Sequence, residues 1–146
     1  IRKMLDMGIP VGLGTDGTRV SSYNPWPSLY WTVTGKTAGG MPMWKDSDRL
    51  SRHEALRLMT TGSAWMSGEE ALKGTIRSGQ FADFVVLPRD YFTVDAEQIK
   101  LLESVLTVVN GKVVYGAGDY APLAPQLPPV SPAWSPVSVY GGYQNR

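Results

Sequence analysis

The dipeptide Asn110-Gly111 stands between two runs rich in β-branched residues and predicts an antiparallel hairpin. Both central residues of a tight type I′ turn need positive φ, which Asn and Gly tolerate best. The flanking runs are 104–109 and 112–115, and a further apolar run, 81–87, is stopped by Pro88. Residues 75–116 are therefore predicted to form a small β-sheet. Asp83, within the run 81–87, is expected to be a cap or turn partner.

A helix is predicted upstream of the sheet. Residues 51–54, Ser-Arg-His-Glu, form a capping box in which the Ser51 hydroxyl and the Glu54 carboxylate each accept from the other residue's amide. One face then carries the apolar residues Ala55, Leu58 and Met59 at helical spacing. We expect this helix to end at residues 60–62, with a short turn or helix following before Gly68.

The apolar run 8–14 is typical of a buried strand, because it is punctuated by glycine and too short for a core helix. Residues 1–7 before it have the pattern of the last turns of a helix closed by a C-cap glycine at Gly8. A chain that opens inside a helix is expected to be part of a longer protein.

The predicted strand ends at Thr15 and Asp16, so it delivers a carboxylate into the loop that follows. Catalytic groups and metal ligands of (β/α)8 enzymes lie just past the C-terminal ends of strands. Asp is also common in tight turns, which leaves a structural alternative open. Residues 12–17 match G-x-G-x-x-G, but no helical pattern follows them, which argues against a nucleotide site.

Residues 17–50 form a long connection rich in glycine, proline and aromatic residues. A short helix is predicted within it over 27–33, with Pro27 near its first turn. Loops of this length are functional or disordered, and the aromatic content favours a packed wall of a pocket. The candidate substrate-binding residues are Tyr23, Trp26, Trp31 and Trp44. The proline-rich end, 119–146, is expected to be an ordered surface arm rather than a disordered tail.

Composition excludes several classes of site and partner. The chain has no cysteine, which rules out disulfides and thiolate metal sites, and its single histidine, His53, cannot build a two- or three-histidine zinc site. His53 is instead expected to face solvent. A net charge of +1 without runs of like charge argues against a nucleic-acid partner, and no segment is long and apolar enough to span a membrane. The compartment stays open, with the cytoplasm slightly favoured.

Taken in order, these segments resemble the C-terminal part of the amidohydrolase superfamily, in the branch called amidohydrolase family 3. The resemblance rests on the strand 9–16, the helix start 50–56, the segment 60–65 and the closing hairpin 108–115. It also rests on Gly-x-x-x-x-Gly-x-x-Ala-Asp at 74–83, which leads into an apolar run. The ending, Trp-Ser-Pro at 134–136 with Tyr-Gly-Gly-Tyr at 140–143, also resembles that branch. In combination these motifs are specific, and with the ending they cover nearly the whole chain.

The resemblance implies an α/β fold in which residues 1–74 supply the last strand and helix of a (β/α)8 TIM barrel. Residues 75–118 would then be returning strands of a small β-sandwich, and 119–146 the proline-rich arm. Asp16 matches the family's aspartate after the eighth strand, which contacts a metal and shuttles a proton. The family's histidine ligands and bridging lysine lie upstream and are not in this chain. The resemblance thus implies a divalent metal, with zinc the expected ion. Most of its ligands would lie outside this chain.

The function expected from the resemblance is that of a C-terminal fragment of a metal-dependent hydrolase. Such an enzyme acts on amide-type, non-peptide C–N bonds of a small-molecule substrate through a metal-activated water. The fragment alone is expected to be inactive, and a homo-oligomer is one outcome of its open strand edges. The alternative is a non-catalytic α+β module that binds a protein partner through its tryptophan-rich loop and proline-rich arm.

Overall fold

The structure, a computed structural model, describes residues 1–17, 21–126 and 139. Its first half is helical, with α1 (Arg2–Asp6), α2 (Pro25–Thr34), α3 (Arg52–Arg57) and α4 (Ser63–Met66). A π-helical turn, Leu58–Gly62, joins α3 to α4. Its second half carries β1 (Phe84–Val86), β2 (Leu106–Val109) and β3 (Lys112–Gly116). Short 3₁₀ turns lie at Asp46–Asp48, Ala96–Leu101 and Gly118–Leu123. The chain is therefore an α/β protein with a small antiparallel sheet.

The sheet has the order β1-β2-β3, with both pairs antiparallel. Asn110 and Gly111 both have positive φ, 49° and 74°, which confirms the predicted hairpin turn. The Asn110 amide donates to Asp83 Oδ1 (2.6 Å), which confirms Asp83 as a turn partner. The Gly111 amide likewise donates to the Ala82 carbonyl (3.1 Å). Because Ala82 and Asp83 serve the turn, β1 is shorter than the predicted run 81–87.

The predicted capping box is present at the start of α3. The Glu54 amide donates to Ser51 Oγ (3.2 Å), and the Ser51 amide donates to Glu54 Oε2 (2.8 Å). The same carboxylate accepts two hydrogen bonds from the Arg2 guanidinium, at 2.8 and 2.9 Å, which ties α1 to α3. Hydrogen bonds from Arg2 and from Ser51 hold the pKa of Glu54 at about 2, well below its ordinary value.

This ion pair predicts an acid-sensitive stability. The folded pKa of Glu54 lies below the unfolded value, so its contribution is complete above the unfolded pKa and is lost as pH falls from about 4.5 to about 2. We expect the urea midpoint of unfolding to drop across that window, and to drop less in Glu54→Gln. Glu70→Gln, at an exposed position, serves as the control. If the urea midpoint falls equally in Glu54→Gln and in the parent protein, the acid sensitivity comes from other groups than Glu54.

The predicted end of the helix at residues 60–62 is wrong. The helical backbone continues through the π-helical turn to Met66. Thr60 and Thr61 lie within this helical backbone, where each hydroxyl is satisfied by donating to the carbonyl four residues earlier, at 2.8 and 2.9 Å. Gly62 stays helical too, at φ −63°, and its Cα lies against the Val11 carbonyl, where a side chain would collide.

The core lies between α2, the start of α3 and the turn Ala96–Leu101. The helix α2 confirms and extends the predicted 27–33, since the Asn24 side chain caps it at its start and Gly35, with φ 66°, ends it. The buried cluster comprises Trp26, Leu29, Tyr30, Leu50, Ala55, Leu58, Tyr91, Ile99 and Leu102.

A polar network on Glu97 fixes α2 to the turn Ala96–Leu101. The Glu97 carboxylate accepts hydrogen bonds from Tyr30 Oη (2.9 Å), Lys36 Nζ (2.9 Å) and Lys100 Nζ (3.1 Å). Hydrogen bonds from Lys36, Tyr30 and Lys100 lower the pKa of Glu97 to about 2. Lys100 Nζ also lies 4.6 Å from the centre of the Tyr30 ring. One carboxylate thus joins two elements that are far apart in sequence.

The run 8–14, predicted as a strand, is not part of a sheet within the described residues. It has no regular secondary structure, and no other described segment forms a ladder with it. A strand needs a neighbouring strand for its backbone donors and acceptors, and the backbone of Leu13 is bonded to the π-helical turn instead. The proposed arm, 119–146, begins within the turn Gly118–Leu123, and beyond Gln126 all of it except Val139 lies outside the described residues.

Candidate functional site

Asp16 lies in a tight turn at the end of the extended segment. The segment starts at Gly8, where φ is 71° and the amides of Gly8 and Ile9 donate to Leu5 and Met4 to close α1, as predicted. Asp16 itself has φ 49°, a left-handed conformation that is uncommon for residues other than glycine. Its side chain is exposed. Asp and Asn adopt this conformation more readily than other residues with a side chain, so it also fits an aspartate with a structural role in the turn.

The turn around Asp16 is held on both sides. The Gly17 amide donates to Thr15 Oγ1 (3.2 Å), and Gly17 forms a bridge with Ser21. A Cβ on Gly17 would lie only 2.8 Å from Tyr23 Cα, so the Asp16 turn rests directly against the backbone of Tyr23. The loop therefore brings Asp16 and Tyr23 into one neighbourhood.

The segment before the turn is anchored to the π-helical turn. The Leu13 amide donates to the Leu58 carbonyl (3.0 Å), and the Ser63 hydroxyl donates to the Leu13 carbonyl (2.7 Å). This close approach is possible because Gly12 has no side chain. A Cβ at this position would lie only 2.6 Å from Met66 Cγ. Sequence reasoning missed Ser63, since an isolated serine in a helical segment carries no signal for such a contact.

A cleft of about 940 Å³ opens between the start of α2, the π-helical turn and the sheet. Tyr23 is 61% exposed at its edge, and Trp26, only 7% exposed, contributes a small part of its surface to the cleft wall. From the sheet, Val85, Thr107 and Tyr115 face the opening. The lining is mainly apolar, which suits a small organic molecule better than a polyanion.

The four predicted substrate-binding aromatics do not all reach this cleft. Trp31 packs against the buried core, and its Nε1 is buried without a hydrogen-bond partner among the described residues. Trp44 packs beside Gly35 at the end of α2, with its Cβ 3.1 Å from where a Gly35 Cβ would be. Tyr23 and Trp26 are therefore the two that the structure brings together, and a role of Trp31 and Trp44 in binding stays a prediction.

The described residues do not fit a complete metal centre. No group of three or more His, Cys, Asp or Glu side chains within 1–17 and 21–126 could hold a metal ion. His53 is exposed and stacks on Phe92, with ring centres 4.4 Å apart, as expected for a solvent-facing histidine. Asp16 can thus supply at most one ligand, and any further ligands would come from other parts of the protein.

Across the described part of the chain, no helix combines the length and the apolar character that a membrane crossing requires.

Comparisons with known proteins point to one family. The sequence profile of a family described as Amidohydrolase family matches residues 1–115. Over 116 residues the chain is 43% identical to YtcJ of Bacillus subtilis, a protein assigned to the amidohydrolases, with 78% of this chain and 22% of YtcJ covered. It is 31% identical over 115 residues to the N-substituted formamide deformylase of Arthrobacter pascens, covering 79% of this chain and 21% of that enzyme.

A solved structure of a zinc-containing hydrolase is also similar to this chain. Atrazine chlorohydrolase TrzN from Arthrobacter aurescens TC1, complexed with zinc, superposes with a TM-score of 0.56 at 26% identity. The match covers 79% of this chain and 27% of that one. The chain therefore spans about a fifth of the length of the curated relatives it matches.

Proposed function

Because the chain belongs to the amidohydrolase family, we propose that it is the C-terminal part of a metal-dependent hydrolase that cleaves amide-type, non-peptide C–N bonds. The name of the deformylase relative supports the bond type, and the zinc in the TrzN structure supports a divalent metal. The match to only about a fifth of each relative supports a larger whole enzyme. The family match favours this proposal over the alternative of a non-catalytic module that binds a protein partner.

In this proposal, residues 1–74 complete a (β/α)8 barrel and residues 75–118 return to a β-sandwich. The extended segment 9–15 supports the barrel assignment, since it has no strand neighbour among the described residues. Such a segment fits a barrel strand whose neighbours are supplied by the rest of the enzyme. The third part of this division, the proline-rich residues 119–146, lies mostly outside the described residues.

The observation that carries the proposal is the placement of Asp16. It is exposed, stands at the end of an extended segment, and is held in a left-handed turn beside the cleft residue Tyr23. Catalytic groups of (β/α)8 enzymes occupy this position relative to a strand. Asp16 is therefore proposed both as the catalytic base and as one metal ligand, with the remaining ligands upstream.

The chemistry divides between the metal and Asp16. A divalent metal, when bound, lowers the pKa of water and so supplies a nucleophile at neutral pH. The Asp16 carboxylate accepts a proton from the attacking water and then donates it to the leaving nitrogen as the C–N bond breaks. Tyr23 and Trp26 offer apolar surface to the substrate in the cleft. Trp31 and Trp44 are retained as further candidates for contacts in the whole enzyme.

The proposal is tested by comparing this chain with the full-length protein that contains it. Both are incubated with zinc and a panel of N-substituted formamides, and amine release is measured. The full-length protein is expected to hydrolyse at least one substrate, to lose activity on chelation and to regain it with zinc. The chain alone is expected to release no amine, because it lacks a ligand set.

Two outcomes would contradict the proposal. Zinc-dependent hydrolysis by the chain alone would show that its own residues complete a metal site. Full activity of the full-length protein after thorough chelation would remove the metal from the reaction.

A further inference from the structure

We infer that Ser63 and the π-helical turn Leu58–Gly62 position Asp16, so that Ser63 is a positioning residue for the reaction. The inference rests on the proposed role of Asp16 as the catalytic base. Ser63 does not line the cleft and is not a candidate metal ligand. Its effect would be transmitted through the backbone of the segment that carries Asp16.

The π-helical turn changes what the Leu58 carbonyl can bond. In a regular α-helix this carbonyl would accept from the amide four residues later, whereas here it accepts from the amide of Ser63, five residues later. The same carbonyl accepts from the Leu13 amide at 3.0 Å. Ser63 is thereby placed with its hydroxyl 2.7 Å from the Leu13 carbonyl and 3.1 Å from the Leu58 carbonyl, and the shorter distance is the one to Leu13.

Leu13 is held at both of its backbone polar groups by these two contacts. Within the described part of the chain, these contacts give both backbone polar groups of Leu13 a partner. Buried or half-buried backbone groups require such partners, which gives the contacts a clear physical basis. The Gly62 approach to Val11 keeps the two backbones close enough for both bonds.

Leu13 is also the last fixed point before the turn. The next residue, Gly14, is exposed, and a Cβ built on it would meet nothing within 4 Å. Beyond Asp16, Gly17 contacts Thr15 and Ser21 and lies against the backbone of Tyr23, which supports the turn on its far side. On the near side, the position of Asp16 depends on how firmly Leu13 is held.

Ser63→Ala removes the hydrogen bond to the Leu13 carbonyl, leaves the one from the Leu13 amide, and places a residue that favours helices in α4. In the full-length enzyme, with an N-substituted formamide that it hydrolyses, we expect kcat to fall about 10-fold, since small misplacement of a catalytic group is costly. KM is expected to stay within about twofold, because Ser63 does not contact the cleft. Ser63→Thr, which keeps the hydroxyl, is expected to restore most of kcat.

Ser67→Ala is the matched control. Ser67 lies just beyond α4, and its hydroxyl donates to the Ala64 carbonyl (3.0 Å). This hydrogen bond does not involve residues 9–16. A second readout is structural and independent of turnover. In Ser63→Ala we expect the amide of Leu13 to exchange several-fold faster with deuterium and the Asp16 amide resonance to shift, and in Ser67→Ala neither change.

If Ser63→Ala fails to fold, Ser63→Cys keeps the side-chain size with a weak donor, and an intermediate loss of kcat is expected. Native kcat in Ser63→Ala, or in Ser63→Cys where Ser63→Ala does not fold, together with an unshifted Asp16 amide, would overturn the inference. The proposed function would still stand in that case, provided that Asp16→Asn loses activity. Native kcat in Asp16→Asn would instead overturn the proposed function and, with it, the role of Ser63 in the reaction.

Discussion

Asp16→Asn is expected to lower kcat of the full-length enzyme by about 10²-fold or more, the usual scale for the loss of general acid–base help. The amide cannot take the proton from water or return it to the leaving nitrogen. Asn tolerates the left-handed backbone at φ 49° as well as Asp does, so the turn should keep its shape. The measurement is steady-state hydrolysis of the best N-substituted formamide, with zinc content determined on the same sample.

Zinc content should fall less than kcat in this variant, because the other ligands are proposed to lie upstream. Asp119→Asn is the matched control, since Asp119 is exposed in the turn Gly118–Leu123, remote in sequence from the loop. It should leave kcat unchanged. Near-native kcat in Asp16→Asn would reduce Asp16 to a turn residue.

Gly62→Ala is expected to lower the free energy of unfolding by about 2 kcal/mol, the scale of forcing a side chain into filled space. Helix propensity alone predicts the opposite sign, because alanine is favoured over glycine inside a helix by about 1 kcal/mol. The structure reverses that expectation, since the added Cβ would collide with the Val11 carbonyl. To relieve the collision, the helix must move away from Leu13 and weaken its two hydrogen bonds.

Gly14→Ala provides the control for this comparison. Gly14 lies in the same extended region, but a Cβ there meets no atom within 4 Å and its backbone has no positive φ. Its effect on the urea-determined free energy of unfolding should stay within about 0.5 kcal/mol. An increase in stability for Gly62→Ala would mean that the close approach to Val11 is absent in solution.

The features that sequence predicted correctly are local ones. The Ser51 and Glu54 capping box, the Asn110-Gly111 turn and the Gly8 helix end each depend on residues within a few positions of one another. Their geometry follows from backbone preferences and short-range hydrogen bonds. Family motifs spread along the chain identified the family, which the comparisons confirm.

The features that sequence could not predict depend on distant residues. Nothing near Gly62 indicates that it faces Val11 rather than solvent, so a helix end was the natural interpretation of the Thr-Thr-Gly segment. For the same reason, only the fold shows that the core residue Trp26 also reaches the cleft, whereas Trp31 packs against the core and does not line the cleft. Asp16 could be selected from its place after an apolar run, whereas the hydroxyl of Ser63 had no comparable signal.

The small size of the sheet bears on how this chain should be handled at high concentration. Its two outer strands, β1 and β3, have three and five residues, and β3 begins with a charged residue, Lys112. Short, charged edges are poor templates for pairing with another molecule. The segment 9–15 lies outside any sheet of the described residues and is longer than either edge strand, although Ile9 and Leu13 already have hydrogen-bond partners. Formulation should therefore protect the N-terminal region, for example by fusing a solubility partner there rather than after β3.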